Sequence, residues 1–199
     1  MNNIKNKVVL ITGAGKGSGR ALAKALAERG AIVAANDISP INLEQVVEEI
    51  TNKGGRARAY IEDVAKKVGA QNLIKQVEDE FGRIDILINH ASVRPRTPLL
   101  EMDEWDWHRV LDVNLTGTFL MTQSVGRVMR GQGWGVIINL MTRDQESVGD
   151  EAAFVTTMQG LAGFTSQAAR ELSPFGIQVH MAETGKDVVE RVFTLLEEK

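Results

Sequence analysis

Residues 7–19 read Lys7-Val8-Val9-Leu10-Ile11-Thr12-Gly13-Ala14-Gly15-Lys16-Gly17-Ser18-Gly19, an unbroken apolar run that gives way to alternating glycines. Lys7–Thr12 is β-branched and continuous, the pattern of a strand buried on both faces. An alanine- and leucine-rich helix is predicted over Ser18–Arg29, with Gly30 where a C-cap belongs. Strand, glycine turn and helix in that order suit a phosphate group. Glycine lets the backbone approach a pyrophosphate closely, and the helix N-terminus offers unpaired N–H groups and a positive dipole end. The P-loop spacing fails, because Leu10 stands where its first glycine belongs. Strict G-x-G-x-x-G fails too, with Ser18 and Arg20 at its third-glycine position in the two registers. T-G-x-x-x-G-x-G fits, through Thr12, Gly13, Gly17 and Gly19.

Strands and helices alternate outward from this turn. Strands are predicted at Ala31–Asn36, Ala57–Ile61, Ile84–Asn89, Val136–Leu140 and Gln178–Met181. Helices are predicted at Leu43–Lys53, Val68–Phe81, Asp103–Arg130 (the longest), Glu151–Leu172 and Asp187–Glu197. This alternation predicts an α/β protein, a three-layer Rossmann-like doubly wound parallel sheet forming one domain over residues 1–199.

Composition narrows the function. The chain has 199 residues, 43% apolar and 25% charged, ordinary for a globular domain. With no cysteine and three scattered histidines, neither a thiol nucleophile nor a metal centre is expected. A net charge of −3 without a basic cluster argues against nucleic acid. No apolar run approaches ~18 residues and the start lacks a signal-peptide core, so a cytoplasmic protein without membrane association is expected.

Asp37 lies at the end of the second predicted strand. A carboxylate there accepts hydrogen bonds from an adenosine ribose and repels a 2′-phosphate, which points to NAD, with NADH preferred over NADPH. Lys16, in the turn, pulls weakly the other way.

The chain resembles the short-chain dehydrogenase/reductase family over almost its whole length. Asp63-Val64 resembles the acidic-apolar pair that contacts adenine. Asn89-His90-Ala91-Ser92 is similar to the family's N-N-A-G, with two of four residues replaced. Asn114-Leu115-Thr116-Gly117 matches its N-x-x-G, and Gly160-Leu161-Ala162-Gly163-Phe164 resembles the stretch after the catalytic lysine. The resemblance implies strand order 3-2-1-4-5-6. It also implies a nicotinamide dinucleotide as partner, held by Gly13, Lys16, Gly17, Ser18, Gly19, Asp37, Ile38, Asp63, Val64, Asn89 and Ala91. A homo-oligomer paired through the two long helices is implied as well.

Active members of that family use a serine and a Y-x-x-x-K pair. Hydride transfer at a carbinol carbon must be matched by a proton at its oxygen. A tyrosine, with a pKa of ~10, serves only when a cation lowers it. Alignment on the fifth strand places Thr142 at the serine, and counting back from Gly160 places Phe154 at the tyrosine and Met158 at the lysine. Tyr60 is the sole tyrosine, and no Y-x-x-x-K exists in the chain. The degenerate catalytic set is therefore Asn114 and Thr142. His90 is a candidate replacement acid on the expected nicotinamide side, whereas Arg143, Asp144 and Glu151 read as solvated loop charges.

The family's Pro-Gly after the sixth strand is also absent. Glu183-Thr184 leads almost directly into the last helix, so the substrate lid is expected to be deleted and the chain truncated relative to the family. The sixth strand is expected at an open sheet edge. Three readings stay open: an NAD(H)-binding relative with lost or strongly impaired hydride transfer, an active NAD-dependent oxidoreductase acting on a ketone or secondary alcohol through His90 or a water on Thr142, and a structural or partner-binding subunit with a vestigial cofactor site.

Overall fold

A run such as Val8-Val9-Leu10-Ile11 can be satisfied only where both faces of a strand are covered, and the computed structural model places it there. Residues 4–142, 149 and 151–197 are described. Six parallel strands form one sheet in the order β3-β2-β1-β4-β5-β6. They are β1 (Val8–Thr12), β2 (Ile32–Asn36), β3 (Arg56–Tyr60), β4 (Ile86–Asn89), β5 (Gly135–Met141) and β6 (Ile177–Glu183). The expected strand order and the alternation of strands with helices are those observed.

Side chains alternate across the pleat, so each strand feeds two cores. Val9, Ile11, Val33, Ala35, Ile86 and Ile138 pack beneath α1 (Gly17–Glu28), α2 (Pro40–Asn52) and a C-terminal helix over Val188–Glu197. Val8, Leu10, Leu87, Ile137 and Val179 face α3 (Lys67–Phe81) and the long helices that precede β5 and β6. None of the described helices is long and apolar enough to cross a membrane.

Two sequence expectations change. The strand expected from Ile84 begins at Ile86. Asp85, fully buried, turns its carboxylate to the Val8 N–H at 2.9 Å and to the Lys7 ammonium at 3.3 Å, which satisfies a charge no strand interior would tolerate alone.

The single helix expected over Asp103–Arg130 is broken into α4 (Glu104–Leu111), a π-helical turn over Asp112–Thr116, and α5 (Gly117–Gln132). Gly117 N–H reaches back to the Asp112 carbonyl, and the Thr118 hydroxyl bonds the Asn114 carbonyl at 3.0 Å. The wider turn is thereby satisfied and re-aims Asn114. After β5 come α6 (Ala152–Leu172) and, after β6, α7 (Val188–Glu197). Only residues 184–187 separate β6 from α7, so no lid segment intervenes there.

Candidate functional site

In an open parallel sheet, ligands bind beyond the C-terminal strand ends where strand order reverses. Here the reversal lies between β1 and β4, and a cleft of about 750 Å³ opens at their ends. Its shape depends on the glycine turn. Gly13 and Gly17 adopt left-handed φ values of +67° and +52°. A Cβ on Gly13 would sit 2.8 Å from the Ala91 Cα, and one on Gly19 would sit 2.2 Å from the Gly13 carbonyl oxygen. Side chains at these two positions would push apart the turn, α1 and the end of β4. A Cβ on Gly17 would meet nothing within 4 Å. The turn is therefore tight toward the protein and open on its outer side, the cradle a pyrophosphate requires at the start of α1.

Thr12 holds this cradle to β4. Its buried hydroxyl accepts the N–H groups of both His90 and Ala91, each at 3.1 Å. The motif count included this threonine, but its role as a clamp required knowing that β4 lies beside β1. Asp37 stands at the end of β2 as expected. One carboxylate oxygen accepts the Gly15 N–H and the other the Ser39 N–H, both at 2.9 Å. The carboxylate is thus fixed in orientation and still lines the cleft.

Gly13, Lys16, Asp37, Ile38, Asp63, Val64 and Ala91 all line the cleft, bringing together most of the expected binding set. Gly17, Ser18 and Gly19 lie in the first turn of α1, where their contribution is backbone geometry. Asn89 is a correction. Its side chain turns inward, where its amide donates to Asn139 at 2.9 Å and to Thr122 at 3.3 Å. A strand residue has only two faces to choose from, and the register of β4 sends this one to the core.

The opposite wall was not foreseen. Trp105, His108 and Arg109 on α4 close the outer side of the cleft, the Arg109 guanidinium lying 5.1 Å from the centre of the Trp105 ring. No spacing rule connects them to the glycine turn. Their helical periodicity was the only signal available.

The expected catalytic positions have a different character. Phe154 and Met158 are buried, 3% and 6% exposed, in a cluster with Val110, Met141, Ala153 and Leu161. Asn114 donates to the Val93 carbonyl at 3.0 Å and the Thr157 hydroxyl at 3.2 Å, and accepts the Val93 N–H at 2.8 Å. One donor holds the π-helical turn to the β4–α4 loop and the other holds it to the helix over Ala152–Leu172. Thr142 accepts a hydrogen bond at 3.0 Å from the hydroxyl of Thr184, just past β6.

Glu151 is a second correction. Far from being solvated, it is 5% exposed and pairs with the Arg94 guanidinium through two bonds of 2.9 and 2.8 Å, and with Arg96 at 3.1 Å. The hydrogen bond from Arg94 holds its carboxyl below the usual range despite burial. The Arg94 guanidinium also rests 4.8 Å from the centre of the Phe154 ring. Arg143 and Asp144 lie outside the described residues.

His90 lines the cleft beneath the glycine turn, with Nδ1 3.0 Å from the Gly13 carbonyl oxygen. A carbonyl only accepts, so Nδ1 carries the proton and gives it to the backbone. Burial pushes the His90 pKa below its ordinary 6.5. The unfolded chain therefore binds this proton more readily than the folded one, and stability falls as pH drops through about 6.5 toward the lowered value. We expect chemical denaturation to show a smaller loss between pH 7.5 and 5.5 in His90→Asn than in the parent. Identical slopes for the two would show that His90 protonates as freely in the fold as out of it.

Comparison with known proteins follows the same outline. A model of the short chain dehydrogenase family matches residues 7–189. A 3-oxoacyl-(acyl-carrier-protein) reductase of Staphylococcus epidermidis is 41% identical over 183 residues, covering 90% of this chain and 75% of its own. D-threitol dehydrogenase of Mycolicibacterium smegmatis is 36% identical over 178 residues, 89% of this chain and 68% of its own. Among solved structures, a metagenomic short-chain oxidoreductase in complex with NADP superposes with a TM-score of 0.93 at 28% identity, covering 99% of this chain and 93% of that one. An NAD+-bound xylitol dehydrogenase gives 0.85 at 31% identity, covering 95% and 75%.

Proposed function

The chain belongs to the short-chain dehydrogenase family, and we propose that it binds a nicotinamide dinucleotide, NAD(H) by preference, with hydride-transfer chemistry lost or strongly impaired. The observation that carries this reading is the burial of Phe154 and Met158 in an apolar cluster. Reduction of a carbonyl leaves negative charge on its oxygen, and a proton must reach it from a group of suitable pKa. Phenylalanine has no such proton, and methionine has no charge to tune one. Bound NADH would supply the hydride. For their part, the residues of this chain would hold the cofactor in place: Thr12 ties the turn to β4, Gly13 and Gly19 allow the close packing, and Asp37, fixed by the Gly15 N–H, would accept the ribose hydroxyls.

His90 has little support as a replacement acid in the geometry. Its Nδ1 proton is spent on the Gly13 carbonyl. A vestigial cofactor site is disfavoured by the open cleft and the intact turn. Calorimetric titration with NADH alongside a turnover assay on ketones and alcohols tests the proposal. Binding without turnover supports it, and turnover overturns it.

The same reading includes self-association through α5 and α6. Phe119 and Phe164 meet edge to face at 6.2 Å on that surface, and a groove of about 460 Å³ between the two helices is lined by both rings, Gly126 and Phe175. Phe119 and Phe175 are exposed there, an apolar patch of the kind subunit contacts cover. Light scattering is expected to give a dimer or larger particle, shifted toward monomer by Phe119→Glu. A clean monomer of the parent at micromolar concentration would count against it.

A further inference from the structure

We infer that His90 is a cofactor-binding residue that takes up a proton as the dinucleotide enters, its imidazolium then facing the diphosphate at the glycine turn. The inference rests on the dinucleotide reading above and adds to it a group whose charge is set by the ligand. A histidine stands where the family's N-N-A-G has its second asparagine, so this position carries a titratable ring in place of an amide.

The ring is fixed on the side of the turn. Thr12 accepts the His90 backbone N–H at 3.1 Å, and Nδ1 donates to the Gly13 carbonyl at 3.0 Å. A Cβ on Gly19 would lie 2.6 Å from Nδ1 and 2.9 Å from Cε1, and one on Gly13 would lie 3.0 Å from Nδ1. That edge of the imidazole is therefore pressed against the glycines. The ring is only half-buried and lines the cleft, which leaves the edge carrying Nε2 to face it. With the proton on Nδ1, Nε2 is an acceptor, and a phosphate oxygen is an acceptor as well. Two acceptors repel. A proton on Nε2 turns the same contact into a charge-assisted N–H···O bond while Nδ1 keeps its bond to Gly13.

In the apo protein, burial disfavours the imidazolium and holds the His90 pKa below 6.5, with the Asp37 carboxylate pulling weakly the other way. An opposite charge within ~6 Å favours the charged form, and a diphosphate brings two. Binding and protonation are thereby linked. Affinity is greatest below the lowered apo pKa and falls as pH rises through the raised pKa of the complex. The other charged groups around the cleft are Lys16 in the turn, Asp37 after β2, Glu62, Asp63 and Lys66 after β3, and His108, Arg109 and Asp112 on α4 and the π-helical turn. Among these side-chain types only histidine ordinarily titrates between about pH 6 and 8, so His108 is the group to be separated from His90. The His108 ring lies 3.3 Å from the Glu104 carboxylate of its own helix. The proton gained by His90 is held against the phosphates and is not offered to a substrate oxygen.

Calorimetric titration of the full chain with NAD+ near pH 6.5, in two buffers of different ionisation enthalpy, counts the protons taken up. The parent is expected to gain about half a proton, as a tenfold change in proton affinity centred near that pH gives. Its affinity should be about three- to tenfold tighter at pH 6 than at pH 8. His90→Asn is expected to bind NAD+ with no uptake and a flat pH profile, and His108→Gln to keep both features of the parent. NAD+ binding to the parent without proton uptake, uptake that survives in His90→Asn, or uptake lost in His108→Gln would overturn the inference and leave the dinucleotide reading standing. The parent and His108→Gln titrations decide the matter even where His90→Asn does not fold. Failure of NAD+ to bind the parent at either pH would overturn both.

Discussion

NADH mixed with this protein and a panel of simple ketones, or NAD+ with secondary alcohols, is expected to show turnover at least two orders of magnitude below that of a relative with an intact proton donor. General acid–base help of this kind is worth roughly 10²–10⁴-fold. The loss here is doubled, because both the donor and the cation that would tune it are replaced, and the replacements form part of a buried cluster. The short connection after β6 adds to the deficit, because residues 184–187 leave no room for a lid between that strand and α7. Restoring the pair through Phe154→Tyr and Met158→Lys is expected to recover little. A lysine at 158 would be buried among Val110, Met141 and Leu161 with its ammonium desolvated, which disfavours the charge it was meant to supply. Robust turnover by the parent, abolished by changing His90 but insensitive to Asn114, would instead identify a replacement acid.

NADH is expected to bind more than about tenfold more tightly than NADPH. A hydrogen bond to a charged group contributes roughly 1.5–3 kcal/mol. Asp37 is held ready by the Gly15 and Ser39 N–H groups, so little ordering remains to be done on binding. A 2′-phosphate would both lose that bond and meet a like charge. Lys16 at the rim is exposed, and an exposed cation recovers only a small part of such a cost. Titration with both cofactors measures the ratio directly, and Asp37→Asn should narrow it by weakening NADH more than NADPH. Equal affinities for the parent chain, or tighter NADPH binding that depends on Lys16, would remove Asp37 from its assigned role.

The order of strands and helices was legible because each depends on a local pattern. Continuous β-branched runs, glycines at fixed offsets and helical periodicity require no knowledge of distant residues. The same holds for the absent Y-x-x-x-K pair: a phenylalanine has no hydroxyl wherever it is placed. The glycine turn was likewise readable, since left-handed φ values at Gly13 and Gly17 are a property of the turn itself. Which way a polar side chain faces, and what it meets there, was decided by tertiary structure. Asn89 could have pointed into the cleft, but the register of β4 between β1 and β5 turned it to Asn139. Glu151 reads as a loop charge until Arg94, 57 residues earlier, is brought against it. The sequence matches Asn114 to the N-x-x-G motif, but only the π-helical turn aims its donors at the Val93 carbonyl and Thr157. These pairings join segments far apart in the chain, and their partners are selected by how the layers stack, which no local spacing encodes.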